Sequence, residues 1–133
     1  MAKLHVELVT PERILLSIEA EEVVLPAHSG LMGVRPGHTP LYAALKPGPL
    51  EIKCADKNFR YYVRGGFVEV GPTQVRVLAD EAEEPSALNP QAAQKRLAQA
   101  QEKLKGMPLD NPEHAKLSTL VEEEMALLAM AAH

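Results

Sequence analysis

At Glu84–Pro85 the chain changes its hydrophobic period, and no single type of secondary structure spans the change. Before it, apolar and polar residues alternate in short runs. After it, apolar residues recur every three or four positions. The residue types change at the same point. All five aromatics (Tyr42, Phe59, Tyr61, Tyr62, Phe67), ten of the eleven valines and seven of the eight glycines precede it. Ten alanines and a single glycine, Gly106, follow it. Strand and turn formers thus fill residues 1–84, and helix formers fill residues 85–133. The expectation is an α+β chain of two domains, 1–84 and 85–133.

In the first region Leu4, Val6 and Leu8 alternate with Lys3, His5 and Glu7. Leu50, Ile52 and Cys54 alternate with Glu51 and Lys53, Phe59, Tyr61 and Val63 with Arg60 and Tyr62, and Val75 and Val77 with Arg76. Asp56-Lys57-Asn58 between two such runs reads as a hairpin turn. Short runs with one apolar face, closed by Pro, Gly or Asp-Lys-Asn, predict an N-terminal β-sandwich or flattened barrel.

In the second region Asn89-Pro90 and Asn111-Pro112 are matching helix starts, with Asn as N-cap and Pro at the first helical position. Gly106 and Pro108 stop the first helix, about Pro90–Lys105, which carries Ala93, Leu97, Ala100 and Leu104 on one stripe. The second, about Pro112–Ala132, carries Leu117, Leu120, Val121, Leu127, Leu128 and Ala131. The short connection predicts a C-terminal antiparallel two-helix hairpin. Two helices bury too little area to stand alone, so the hairpin leans on the sandwich or on another protein. Glu124 falls inside the apolar stripe of the second helix. With Leu104 facing Leu117, Leu97 lies opposite Glu124 and Arg96 beside it, which predicts an Arg96–Glu124 pair across the hairpin. The alternative is a seam rotated toward Val121, Met125 and Leu128, with Glu124 in solvent.

Chemistry is sparse. A composition 46% hydrophobic and 24% charged is that of a folded domain, and a net charge of −4 argues against nucleic-acid partners. Cys54 is the single cysteine, which excludes an internal disulfide and a thiolate zinc cage, and its alternation with apolar residues reads as a small buried hydrophobe. His5, His28, His38, His114 and His133 show no metal-ligand spacing, so no metal is expected. No nucleophile elbow or phosphate loop is present, so no catalytic residue is expected. The longest apolar runs, Val23–Leu25 and Met125–Ala132, fall far short of the ~20 residues of a membrane span. The first residues lack a secretory or transit pattern, and a cytoplasmic protein without membrane insertion is expected.

The informative segment is Gly30–Leu41, Gly-Leu-Met-Gly-Val-Arg-Pro-Gly-His-Thr-Pro-Leu, with three glycines and two prolines. It reads either as two linked turns at a sandwich edge or as a rigid loop presenting Leu31, Met32, Arg35 and His38 to a partner. Gly30, Gly33-Val34 and Pro36-Gly37-His38-Thr39-Pro40-Leu41, at this spacing, resemble the signature of the epsilon subunit family of F-type ATP synthases. Leu45-Lys46-Pro47-Gly48, Val63-Arg64-Gly65-Gly66-Phe67-Val68-Glu69-Val70 and Val77-Leu78-Ala79-Asp80 continue the resemblance in order.

The resemblance implies a non-catalytic subunit of the rotor's central stalk, without a cofactor. The sandwich would bind the gamma subunit on one side, with Gly65 and Gly66 allowing close backbone approach. On this reading Gly66→Val weakens that association with the fold preserved. One end of the sandwich would meet the polar loops of the c-ring through Leu31, Met32, Arg35 and His38. Relatives can carry an acid where this chain has Leu31. The hairpin would rise along gamma toward the beta subunit of the catalytic head and restrain ATP hydrolysis. The place implied is peripheral, on the cytoplasmic face of a bacterial inner membrane.

Some bacterial members bind ATP through Leu/Ile-Asp-x-x-Arg-Ala at the start of the first helix. The matching residues here are Leu88, Asn89, Ala92 and Ala93, without the carboxylate and the guanidinium, so ATP binding is expected to be weak or absent. After Lys116 the second helix has no Lys or Arg and carries three glutamates, where the family's inhibitory surface is basic. Two other readings share part of these signals. One is a small β-sandwich enzyme using His38 as acid or base, which needs a second convergent polar group. The other is a β-body with a helical hairpin acting as an adaptor or chaperone outside the ATP synthase.

Overall fold

The computed structural model describes residues 3–131. Its packing divides the chain into two compact units at the Glu84/Pro85 junction. The first unit holds eight strands: β1 (Leu4–Val9), β2 (Ile14–Ala20), β3 (Glu22–Ala27), β4 (Gly30–Val34), β5 (Leu41–Ala44), β6 (Gly48–Lys53), β7 (Asn58–Val70) and β8 (Gln74–Glu83). The hydrogen-bonded order is β2-β1-β8-β7-β6-β3-β4, with β5 also on β7. All pairs are antiparallel except β1 with β8.

β7 turns this continuous sheet into a sandwich. Its first half, Asn58–Val63, pairs with β6, and its second half, Phe67–Val70, pairs with β5. The change of partner falls at Arg64–Gly66, where Gly65 and Gly66 have φ of +72° and +109°. Two glycines there let one strand serve both layers. The core lies between the layers. Leu4, Val6, Leu8, Val68, Val75 and Val77 meet Val23, Leu25, Val34, Leu50, Ile52 and Val63, all of them buried.

The predicted runs in β1, β6, β7 and β8 have their alternating inward faces. Cys54 departs from its expected place. It lies one residue past β6 and is half-buried against the core edge. Tyr62 departs too. It points opposite to Tyr61 and Val63, yet it is 1% exposed, and the Arg64 guanidinium lies 5.3 Å from its ring centroid.

In the second unit a single 3-10 turn, Pro85–Ala87, precedes α1 (Pro90–Leu104) and α2 (Pro112–Ala131). Asn89 Oδ1 accepts the Ala92 N–H at 3.1 Å, and Asn111 Oδ1 accepts the Glu113 N–H at 2.9 Å. Gly106, with φ +71°, follows the end of α1. The α1 stripe is as predicted, with Ala93 and Ala100 buried and Leu97 and Leu104 half-buried. On α2 the buried positions are Glu124, Leu127 and Met130, and Met125 is exposed. The rotated seam through Val121, Met125 and Leu128 is therefore not the one formed. The side chain of Ala131, and Ala132, lie outside the described residues.

Candidate functional site

The outer face of the sandwich carries a row of apolar residues that crosses five strands. Ile14 on β2 is paired with Val9 on β1, Val9 with Leu78 on β8, Leu78 with Phe67 on β7, and Phe67 with Ala44 on β5. Directly paired residues project to one face of a sheet, so the five side chains form one continuous band. Ile14 is 60% exposed and Phe67 47%. Tyr42, 61% exposed, stacks on Phe67 with ring centroids 5.5 Å apart and planes 18° from parallel. The next row is polar on four of these strands, Ser17, Glu7, Arg76 and Glu69, with Arg76 3.3 Å from Glu7, and it ends on β5 at Tyr42. An exposed apolar band with a polar rim is the anatomy of a protein interface.

Sequence reasoning missed this band. Its signal was present as residues out of phase: Val9 after Leu8, Leu78 after Val77 and Phe67 before Val68 are apolar at positions where alternation calls for polar side chains. Beside the band, Val9, Thr10, Pro11, Phe67, Leu78, Ala79 and Asp80 line an open cavity of about 310 Å³. A second groove of about 600 Å³ is lined by Thr10, Leu15 and Ala82 together with the charged Glu12, Arg13, Glu81 and Glu83. Arg64 lies 3.2 Å from Glu81 and 3.9 Å from Glu83, engaging two of that groove's acids.

Gly65 and Gly66 lie inside β7, against β8. A Cβ at Gly66 would fall 2.1 Å from the Leu78 carbonyl oxygen, and one at Gly65 would fall 2.7 Å from Asp80 Oδ2. The closest approach at Gly66 is thus to the chain's own neighbouring strand. This corrects the expectation that Gly66→Val preserves the fold.

Gly30–Leu41 is not one loop, because Gly30–Val34 forms β4. Leu31 lies near the β3–β4 turn and is 69% exposed, whereas Met32 packs on the core. Arg35 and His38 lie past the other end of β4, about 13 Å away at the rise of a strand. There Arg35-Pro36-Gly37-His38 forms a turn, with His38 N–H donating to the Arg35 carbonyl and Gly37, φ +89°, at its third position. Gly37 N–H donates to the Pro72 carbonyl at 2.7 Å, which ties this turn to the β7–β8 turn. Arg35 Nε donates to Glu22 Oε2 at 3.4 Å, and Lys53 Nζ lies 3.5 Å from Glu22 Oε1. His38 is half-buried, and its Nδ1–H donates to the Thr39 carbonyl at 2.7 Å. The four expected contact residues therefore fall on two surface regions and the core.

Leu88, Asn89, Ala92 and Ala93 stand at the start of α1, where the Asn89 carboxamide is engaged as the cap and Ala93 is buried. On the hairpin, Arg96 Nε donates to Glu124 Oε1 at 2.8 Å and Arg96 Nη2 to Oε2 at 3.1 Å, a bidentate pair. The partners differ in exposure, 43% for the Arg96 side chain and 2% for Glu124.

No group of three or more His, Cys, Asp or Glu among the described residues is placed to hold a metal ion. Burial, and then Glu21 and Asp56, push the Cys54 thiol above its usual range, which disfavours the reactive thiolate. No helix among the described residues is long and apolar enough to cross a membrane.

Residues 3–85 match the family described as ATP synthase, Delta/Epsilon chain, beta-sandwich domain. An ATP synthase epsilon chain of Myxococcus xanthus is 44% identical over 98% of this chain and 96% of its own length. One of Bordetella avium is 39% identical over 99% and 91%. Among solved structures, a chain of the c-ring-containing mitochondrial ATP synthase assembly of Euglena gracilis shares the fold with a TM-score of 0.89 and 24% identity, over 100% of this chain and 83% of that one. A chain of the Tetrahymena thermophila mitochondrial ATP synthase central stalk and c-ring shares it with a TM-score of 0.70 and 17% identity, over 98% and 97%.

Proposed function

The chain belongs to the ATP synthase delta/epsilon family, and from that premise we propose that it is a rotor subunit that joins the central stalk to the c-ring. It is not the catalytic subunit of that enzyme. Residues 1–84 act as the docking domain and residues 85–133 as a regulatory element. The observation that carries this reading is the apolar band from Ile14 to Tyr42. It is the surface for the gamma subunit, and its two aromatics are the anchors. Gly65 and Gly66 serve that surface by keeping β7 tight against β8 beneath it. The exposed ends of β4, Leu31 at one and Arg35 with His38 at the other, are the contacts for the polar loops of the c-ring. Met32 supports them from within the core. The hairpin reaches the beta subunit of the catalytic head when it extends. The subunit sits peripherally on the cytoplasmic face of a bacterial inner membrane.

The test is co-purification of the full chain with gamma and the catalytic head. Phe67→Ala and Tyr42→Ala are expected to weaken gamma binding by ~10–100-fold each, the range of an interface anchor. Thermal melts should stay near wild type, because Tyr42 is 61% exposed and Phe67 about half exposed, and neither belongs to the core. A chain that does not associate with gamma, or two variants that bind like wild type, would remove this function and favour an adaptor outside the ATP synthase.

ATP is not a ligand of this chain on the same reading. Asn89 is engaged in capping and Ala92 offers no cation. Calorimetry with the isolated chain should give no heat of binding at micromolar ATP, and a saturable micromolar isotherm would reverse that conclusion.

A further inference from the structure

We propose that the cavity between Pro11 and Phe67 is a socket for one apolar side chain of the gamma-type partner. Asp80 at its rim takes a lysine or arginine that flanks this side chain. The proposal rests on the docking reading above and specifies the chemistry of the partner's surface.

The cavity opens directly onto the apolar band, since Val9, Leu78 and Phe67 belong to both. Pro11 and Ala79 add further apolar wall. Its two polar residues differ. The Thr10 hydroxyl already donates to the Arg13 carbonyl at 3.3 Å. Asp80 has no ion-pair or hydrogen-bond partner among the described residues. The other two acids of β8, Glu81 and Glu83, are engaged by Arg64. Asp80 shares Leu78's face of β8, two residues along the strand, so its carboxylate stands beside the band. Gly65 makes room for it, because any side chain at that position would strike Asp80 Oδ2. A band of uncharged walls with one uncompensated acid at its edge selects a partner with an apolar knob and an adjacent cation. A second copy of this chain, with a net charge of −4, would bring its own Asp80 to such an interface and is disfavoured as the occupant.

The affinity of the full chain for purified gamma subunit, titrated at low and high salt, tests this. Asp80→Asn is expected to weaken binding by ~10-fold at low salt, with the difference shrinking as salt rises. Asp80→Lys should weaken it by ~100-fold or more. Asp56→Asn, the same charge change in the exposed turn between β6 and β7, should leave the affinity within about a factor of two. Val9→Phe, which fills the cavity from its wall, should reproduce the loss without changing the salt dependence. Wild-type binding together with an Asp80→Asn variant of equal affinity and equal salt slope overturns the cation site and leaves the docking reading standing. Unchanged affinity in Val9→Phe overturns the socket. A lowered melting temperature in Asp80→Asn would make the carboxylate structural and also overturn the proposal. Absence of wild-type binding to gamma removes both readings, and self-association of the free chain through this face would assign the cavity to a second copy.

Discussion

Gly66→Val is expected to abolish the cooperative thermal transition of the sandwich, and Gly66→Ala to come close to doing so. The obstacle is the Cβ itself. It would lie 2.1 Å from the Leu78 carbonyl oxygen and 2.8 Å from the Ala79 Cα, so no choice of rotamer relieves it. The backbone adds to the cost, because φ of +109° is a region that L-residues rarely enter. Relief requires β7 and β8 to separate along their central pairs, which breaks the ladder that joins the layers. Cost on this scale exceeds about 4 kcal/mol, the tail of measured single substitutions. Gly65→Ala is the milder comparison. Its Cβ meets an exposed, movable carboxylate, and its φ of +72° costs about 1–2 kcal/mol. Circular dichroism melts of the three variants check the order. A Gly66→Ala chain melting within a few degrees of wild type would mean the strand pair is far more compliant than its geometry.

The second large effect is an asymmetry in the hairpin. Arg96→Ala is expected to destabilise the helical unit by about 1–3 kcal/mol, whereas Glu124→Leu is expected to be neutral or stabilising. The reason lies in the two exposures. Glu124 is 2% exposed on its side chain, so removing Arg96 leaves a carboxylate with neither its bidentate partner nor water. Arg96 is 43% exposed, so removing Glu124 leaves a cation that water already reaches, while leucine completes the stripe of Leu127 and Met130. Half-exposure of the arginine keeps the estimate below that for a fully buried pair. Hydrogen exchange of α1 and α2 amides measures both variants, and equal losses from the two would mean that the pair is held by its surroundings. On the proposed function, Arg96→Ala also favours separation of the helices and the extended form.

The two-region organisation was legible because it depends on period and composition, which are local. The caps at Asn89 and Asn111 were legible for the same reason, and the Arg96–Glu124 pair followed from helical geometry applied to two stripes. The strands β2, β3, β4 and β5 were harder. Ile14–Ala20 and Gly30–Val34 are edge strands with imperfect alternation, and only pairing defines them. The role of Gly65–Gly66 was hidden because β7 changes partners there, and a register between distant strands is not written in either strand alone. The outer apolar band was hidden for the same reason. Val9, Leu78 and Phe67 each look like a lapse in alternation until the ladders line them up. The segment 30–41 read as two linked turns or as one contact loop, because its glycines and prolines outweighed the short hydrophobic stretch that became β4.

A strand shared by both layers leaves the sandwich nowhere to yield. The thirteen residues of β7 are bonded to β6, β5 and β8, so sliding one layer over the other would have to stretch peptide bonds or break several ladders together. The His38 turn is pinned to Pro72 and leads within three residues into β5, which carries Tyr42. A push at that turn therefore arrives at the aromatic pair through covalent chain and sheet hydrogen bonds, with little soft side-chain packing in series. Such a body has low mechanical compliance, and on the proposed function it would carry load between the surfaces it touches while storing little of it.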